Sequence, residues 1–208
     1  MAKNRIFVRS CEQPGLSGIT NLVLMRALAR LILKLMGWNI YTRVSIDYPK
    51  SVFIMAPHTS NMDFFVGRLA FYMYGVRPKI LIKKEAFTPM MGPLLRWLGG
   101  VPVDRGSSQK TVKKVTEEFD RHKEFHLLIT PEGTRQRVNK WKRGFYFIAL
   151  QAKVPIFLGF LDYRRKEGGV GKMIIPSGDF DADFRIIEDF YRDKHARHPD
   201  KFNLSGTS

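Results

Sequence analysis

Val52-Phe53-Ile54-Met55-Ala56-Pro57-His58-Thr59-Ser60-Asn61-Met62-Asp63-Phe64-Phe65 passes from a continuous apolar run, through a proline, to a short polar stretch before apolar residues resume. Consecutive large apolar residues suit a strand covered on both faces, Pro57 cannot extend a hydrogen-bonded ladder, and Ser60 followed by Asp63 is a helix-start signature. The stretch predicts a buried strand, a short loop and a helix. In that arrangement His58 lies in the strand-to-helix loop and Asp63 in the first helical turn, where its carboxylate can fold back onto the imidazole. A carboxylate on one ring nitrogen leaves the other free to take a proton, which is the general-base half of a hydrolase triad without the serine. A base with no protein nucleophile points to a substrate hydroxyl as the attacker. The same residues also read as a plain capping box, with Ser60 the cap, Asp63 its acidic partner and His58 a polar loop residue. Spacing alone leaves both readings open.

Outward from this unit, further β-rich runs fall at Tyr41 to Asp47, Lys79 to Ile82, His126 to Thr130, Pro155 to Gly159 and Lys172 to Ile175. Helix-compatible runs lie at Asn61 to Tyr74, Ser107 to Lys123, Gly144 to Ala152 and Asp183 to Arg197. Strand-helix alternation predicts an α/β sandwich with a central mixed, partly parallel sheet flanked by helices, with chemistry at the loops leaving the strand ends. Neither an internal repeat nor a low-complexity linker divides the 208 residues, so one catalytic-sized domain is expected over 41–208, after an N-terminal segment over 1–40.

Lys plus Arg is 35 against 19 Asp plus Glu, a formal charge of +16, and such a surplus calls for an acidic partner. The single cysteine, Cys11, cannot close an intrachain disulfide, and zinc sites needing two thiolates are excluded by count. The apolar stretch Ile19 to Trp38 is interrupted by Arg26, Arg30 and Lys34, whereas a spanning helix wants about 20 mostly apolar residues. It also makes a poor secretory signal, so a cytoplasmic protein is expected. Those cations step by four and would form one basic stripe on a helix whose remaining face is Leu24, Leu28, Leu31, Leu35 and their neighbours. Such a helix suits either the headgroup boundary of an anionic bilayer or ordinary packing on the domain.

Two more segments sharpen the chemistry. Leu98-Gly99-Gly100-Val101-Pro102-Val103-Asp104-Arg105 places a cation after a short strand and before a helix start, a favourable position for phosphate. Leu127-Leu128-Ile129-Thr130-Pro131-Glu132-Gly133-Thr134-Arg135 is an apolar strand ending in a turn whose glycine permits close backbone approach.

In this order the His58/Asp63 box, the Gly-Val-Pro-Val-Asp-Arg block ending at Arg105, Pro131-Glu132-Gly133-Thr134-Arg135 and Val154-Pro155-Ile156 resemble the glycerolipid acyltransferases, whose best-known members are the 1-acyl-glycerol-3-phosphate acyltransferases. The resemblance covers roughly residues 50 to 160. One departure is Pro57, where many members carry Asn before the histidine. The resemblance implies a glycerolipid-acyltransferase-like fold preceded by a membrane-associating helix with Arg26, Arg30 and Lys34 as docking cations, peripheral on the inner, cytoplasmic membrane face. It implies transfer of a fatty acyl group from an acyl thioester, on acyl-carrier protein or coenzyme A, to the hydroxyl of a lyso-lipid, foremost 1-acylglycerol-3-phosphate to give phosphatidic acid. His58 would act as general base and Asp63 as its orienting carboxylate. Arg105 would hold the acceptor phosphate with help from Arg135, and Glu132 would place the glycerol-like part. Gly133 and Thr134 complete the acceptor site, with backbone amides near Gly133 as a candidate oxyanion stabiliser. Met90, Met91, Leu94 and Trp97 are the candidate wall of the acyl groove; the segment also reads as a short core helix. Lys79, Lys83, Lys84, Lys110, Lys113 and Lys114 are candidates for the donor-docking face. This chemistry needs no metal or redox cofactor.

Three rivals accompany this reading: another lyso-lipid acceptor such as a lyso-amino-acid lipid, a non-catalytic membrane or carrier-protein binding module, and a nucleic-acid binder suggested by charge alone. No recognised RNA or DNA motif stands beside the charge. His122 and His126 have the spacing of a helical zinc pair but lack the glutamate that follows the first histidine. Gly168-Gly169-Val170-Gly171-Lys172 departs from a phosphate loop at both ends and reads as a hairpin turn. His195 and His198 are expected to face solvent at the end of a C-terminal helix.

Overall fold

The computed structural model describes residues 16–103 and 108–204; the side chains of 16–22, 83, 97 and 108–110 lie outside the description. The chain runs α1 (Leu16–Leu35), β1 (Asn39–Thr42), β2 (Lys50–Met55), α2 (Asn61–Tyr74), β3 (Lys79–Lys83), α3 (Gly92–Trp97) and β4 (Gly100–Val103). It continues α4 (Ser108–Arg121), β5 (Phe125–Ile129), α5 (Gly144–Ala152), β6 (Ile156–Asp162), β7 (Glu167–Ile174) and α6 (Phe180–Tyr191). The strands form one sheet in the order β1-β7-β6-β2-β5-β3-β4. Every neighbouring pair is parallel except β6 with β7. The α/β class and the mixed sheet are as the alternation of elements predicts.

The central strand explains its own composition. Along β2, Val52 and Ile54 enter a core under α4, α5 and α6, while Phe53 and Met55 enter a second core under α1 and α2. Side chains alternate across the sheet and both faces are covered, so none of the four positions Val52 to Met55 needs to be polar. Burying each such side chain contributes about 1.5–3 kcal/mol. Phe53 stacks on Phe157 at 5.0 Å and meets Phe71 edge-on at 5.2 Å, which ties β2, β6 and α2 together.

Strand β2 lies between β5 and β6. The chain leaves β2 through α2 toward β3, beyond β5, and later leaves β5 through α5 to reach β6 on the other side of β2. The loops after β2 and β5 therefore flank a crevice at the carboxyl ends of neighbouring parallel strands, the usual ligand position in such sheets.

Several boundaries differ from expectation for physical reasons. The strand anticipated over Tyr41 to Asp47 is only Asn39–Thr42, because its partner β7 ends its shared register at Val170. Gly168 to Lys172, expected as a turn, lies within β7, and the reversal occurs over residues 163–166. Glycine is needed there because Gly169 has φ +135° and a Cβ would sit 1.7 Å from the Tyr41 carbonyl oxygen and 2.6 Å from the Tyr74 hydroxyl. The C-terminal helix starts earlier, at Phe180, and ends at Tyr191, before His195 and His198.

Helix α1 has two apolar faces. Ala29 and Leu33 are buried against the domain, and Trp38 follows them into the core under α2. Leu24, Leu28, Leu31 and Leu35 point outward, with Leu35 78 % exposed. The expected three-cation stripe is divided. Arg30 and Lys34 are exposed, but Arg26 is turned inward, its guanidinium lying where a Cβ on Gly75, the left-handed C-cap of α2, would be. The carbonyl end of a helix attracts a cation, so Arg26 serves α2 rather than an outer docking face. Among the described residues no helix is long and apolar enough to cross a membrane.

Candidate active site

The α2 start is built as a capping box. Ser60, with φ −148° and ψ 164°, accepts a hydrogen bond from the Met62 amide through Oγ at 3.0 Å, and Asp63 Oδ2 accepts from the Ser60 amide at 2.8 Å and the Thr59 amide at 2.7 Å. The same Oδ2 lies 3.4 Å from His58 Nδ1. The two readings of this stretch are one geometry: the carboxylate that caps the helix also faces the imidazole. Cap hydrogen bonds fix the carboxylate at the helix N-terminus, where positive backbone charge favours its ionised form.

Asp63 is buried and charged. Burial pushes its carboxyl up, but hydrogen bonds from His58, Tyr163 and the Ser60 and Thr59 amides outweigh that and hold it below the usual aspartate value. Its other oxygen, Oδ1, accepts from Ser60 Oγ at 3.1 Å and from the Tyr163 hydroxyl at 2.7 Å. Tyr163 comes from the β6–β7 turn, a hundred residues away in sequence. Among the described residues no hydrogen bond to His58 Nε2 is formed, and His58 lines the large groove beside it.

Glu132 does something other than line that groove. It is 2 % exposed, and its Oε1 accepts the His58 amide at 2.8 Å. Burial, reinforced by the neighbouring charge of Asp63 and opposed by the His58 amide, pushes its carboxyl up to about 8. Glu132 thus joins the loop after β5 to the loop after β2 as a largely protonated side chain at neutral pH. This placement corrects the expectation that it touches the acceptor. The Gly133 amide donates to the Thr130 carbonyl at 3.0 Å, which closes the turn and removes that amide from the oxyanion role. Gly133 itself has φ +69°, and the Lys142 side chain crosses it so closely that a Cβ would meet Lys142 Cε at 2.8 Å.

The groove has a volume of about 1590 Å³ and is lined by residues of α2 on one side and of α4 and α5 on the other. Phe64, Phe71, Ile80, Ile82, Leu95 and Phe147 supply much of its apolar wall, and Gly133, Thr134 and Arg135 line it with His58. Met90, Met91 and Leu94 do not. They are exposed, Met90 at 83 %, because α3 turns Leu95 inward and its neighbours out. Trp97's side chain and Arg105 lie outside the described residues, as do Cys11 and the side chains of Lys83 and Lys110. Among the described residues, the cations along the groove are Arg68, Lys113, Arg135, Lys142 and Arg143, and the acid lining it is the buried Asp63. Lys113 and Arg135 were expected from sequence, whereas Arg68, Lys142 and Arg143 carried no motif to single them out.

The two C-terminal histidines are not simply solvated. His195 Nδ1 lies 3.3 Å from Asp162 Oδ2, and the His198 amide donates to Thr59 Oγ1 at 3.2 Å, so the tail braces the loop that carries His58.

The sequence pattern of the family described as Acyltransferase matches residues 39–157. The chain is 30% identical over 133 residues to a 1-acyl-sn-glycerol-3-phosphate acyltransferase of Limnanthes alba, covering 61% of this chain and 46% of that protein. Its counterpart in Limnanthes douglasii is 29% identical over the same length. The chain spans about half the length of these relatives. Among solved structures, the 1-acyl-sn-glycerophosphate (LPA) acyltransferase PlsC of Thermotoga maritima superposes with a TM-score of 0.52 at 16% identity, covering 81% of this chain and 76% of that one, a likeness of fold.

Proposed function

This chain belongs to the acyltransferase family, and on that premise we propose that it transfers a fatty acyl group from a thioester to the hydroxyl of a lyso-lipid, foremost 1-acylglycerol-3-phosphate, to give phosphatidic acid. The observation that carries the reading is the His58–Asp63 pair, cap-locked on one side and presenting Nε2 to an apolar groove on the other. In the proposed step Nε2 takes the proton of the acceptor hydroxyl as that oxygen attacks the thioester carbonyl. Asp63 steadies the imidazolium. Collapse of the tetrahedral intermediate forms the ester, breaks the carbon–sulfur bond and returns the proton from His58 to the departing thiolate. The step calls on no metal or redox group, and the donor is carried on either acyl-carrier protein or coenzyme A.

Charge supports an anionic acceptor. Arg135, Lys142 and Arg143 stand at the groove with no exposed acid among its described lining residues, and the resemblance adds Arg105 as a phosphate anchor. Membrane access is supported by α1, whose outward leucines are exposed, as are Phe64 and Phe65 of α2. A helix with this outer face and the exposed cations Arg30 and Lys34 would lie in the headgroup layer of an anionic bilayer, on its cytoplasmic side.

The test is acyl transfer by the purified chain in anionic vesicles, with both thioester donors and a panel of lyso-lipids, beside His58→Ala. Transfer to lysophosphatidic acid that falls by at least about a thousandfold in the variant supports base and acceptor together. Transfer to another head group alone keeps the mechanism and replaces the acceptor, whereas equal thioester loss in both proteins removes the catalytic reading.

A further inference from the structure

The His58–Asp63 separation of 3.4 Å is long for a charge-assisted hydrogen bond, so small rotations of the carboxylate decide how well it faces the imidazole. Oδ2 is shared among three donors on one side. The short contact that fixes the opposite oxygen is the 2.7 Å bond from Tyr163; the Ser60 hydroxyl is farther, at 3.1 Å, and belongs to a rotor. Tyr163 is absent from the groove lining, so it meets the reacting groups only through Asp63.

Tyr163 is itself held from several elements. Its amide donates to the His195 carbonyl at 2.9 Å, its ring meets Trp38 edge-on at 5.0 Å and 87°, and the Arg197 guanidinium lies 6.0 Å from its ring centroid. Trp38 in turn closes the end of α1, donating its amide to the Leu33 carbonyl at 2.8 Å, and carries the Lys166 ammonium 5.2 Å from its ring.

We propose that Tyr163 is a positioning residue for the dyad: its hydroxyl sets the plane of the Asp63 carboxylate from the side away from His58, and its seat on Trp38 ties that alignment to the end of α1. This role rests on the acyl-transfer reading above. Removing the hydroxyl leaves Oδ1 to Ser60 alone and lets the carboxylate turn away from Nδ1. The ring contacts survive in phenylalanine, so the fold is spared.

Two measurements test it. In Tyr163→Phe, kcat for acyl transfer falls about tenfold while KM stays within about twofold, because a group that never touches substrate changes the chemical step and not binding. Independently of turnover, a carbon-13 carboxyl titration shows the Asp63 midpoint moving upward, since one donor that stabilises the carboxylate is gone. The groups that face this carboxylate and bear on that titration are His58 and Glu132, with Arg197 beside Tyr163. Trp38→Leu keeps the hydroxyl but removes its seat, and moves both readouts in the same direction by a smaller factor. That variant decides the question should Tyr163→Phe fold poorly. Unchanged kcat and an unmoved Asp63 midpoint in folded Tyr163→Phe overturn the proposal, as does a KM rise without loss of kcat. An Asp63 midpoint that moves in Tyr163→Phe while the wild-type chain transfers no acyl group faults the function itself, and so is told apart from a failure of Tyr163.

Discussion

Glu132→Gln isolates one buried carboxyl and predicts an increase in stability whose size depends on pH. The folded carboxyl titrates near 8 against an ordinary glutamate value of 4.5, because burial and the neighbouring Asp63 charge disfavour its ionised form. Below 4.5 the side chain is neutral in both folded and unfolded chains, and glutamine, an isostere that can still accept the His58 amide, should leave the urea midpoint unchanged. Above 4.5 the unfolded glutamate loses its proton while the folded one keeps it, so the folded state binds more protons and stability falls as pH rises. Each pH unit in that window costs about 1.4 kcal/mol, which sets a ceiling of about 5 kcal/mol by pH 8. Relaxation and water entry lower the figure, and an advantage of at least about 2 kcal/mol for glutamine at pH 8 is expected. Urea unfolding followed by tryptophan fluorescence, run on both proteins from pH 5 to 8, measures it. A difference that does not grow with pH, or a glutamine variant less stable at pH 8, refutes the assignment of a protonated Glu132. The same variant should keep kcat/KM within about threefold, since the amide carbonyl can hold the His58 loop. A large rise in acceptor KM would restore Glu132 to the acceptor site.

Two further outcomes follow from packing and exposure. Gly169→Ala should lose more than about 3 kcal/mol or fail to fold, because φ +135° and the Tyr41 carbonyl 1.7 Å from the new Cβ leave no room; thermal melts read it, and a near-native melt contradicts the β1–β7 register. Leu28→Asp with Leu31→Asp, both on the exposed face of α1, should leave the melt within about 1 kcal/mol while weakening flotation with anionic vesicles by about tenfold or more, and unaltered flotation moves the docking surface elsewhere.

What could be read in the sequence was local. Residues 52–65 announced a doubly covered strand, a loop and a capped helix because each signal lies within a few residues of the next, and Asn61–Tyr74 and Gly144–Ala152 have the expected limits. The histidine and its carboxylate are five residues apart, so one helix start places both. Tyr163 could not be found that way: it reaches Asp63 from a turn that only the β6–β7 hairpin delivers. Glu132 was visible as an unusual residue in a turn, yet the direction it faces depends on the neighbouring loop, and that is a property of the sheet order. Met90 and Leu95 share the same apolar character, and α3 decides which of the two enters the groove. In β7 the glycines concealed a strand, since their lack of side chains reflects the closeness of Tyr41 and Tyr74 rather than a turn.

The pairing of β1 with β7 also orders events in time. Asn39 is made early and its partner Glu167 late, so during synthesis α1 and β1 leave the ribosome long before the edge they complete exists. Until the hairpin arrives, Trp38 has no Tyr163 to rest against and Asp63 Oδ1 has the Ser60 hydroxyl but not that of Tyr163. A nascent chain can therefore expose the leucines of α1 to a bilayer while its dyad is still unfinished. The late β6–β7 hairpin both completes this edge of the sheet and delivers the Tyr163 hydroxyl to Asp63, so a chain that stops short of it lacks both.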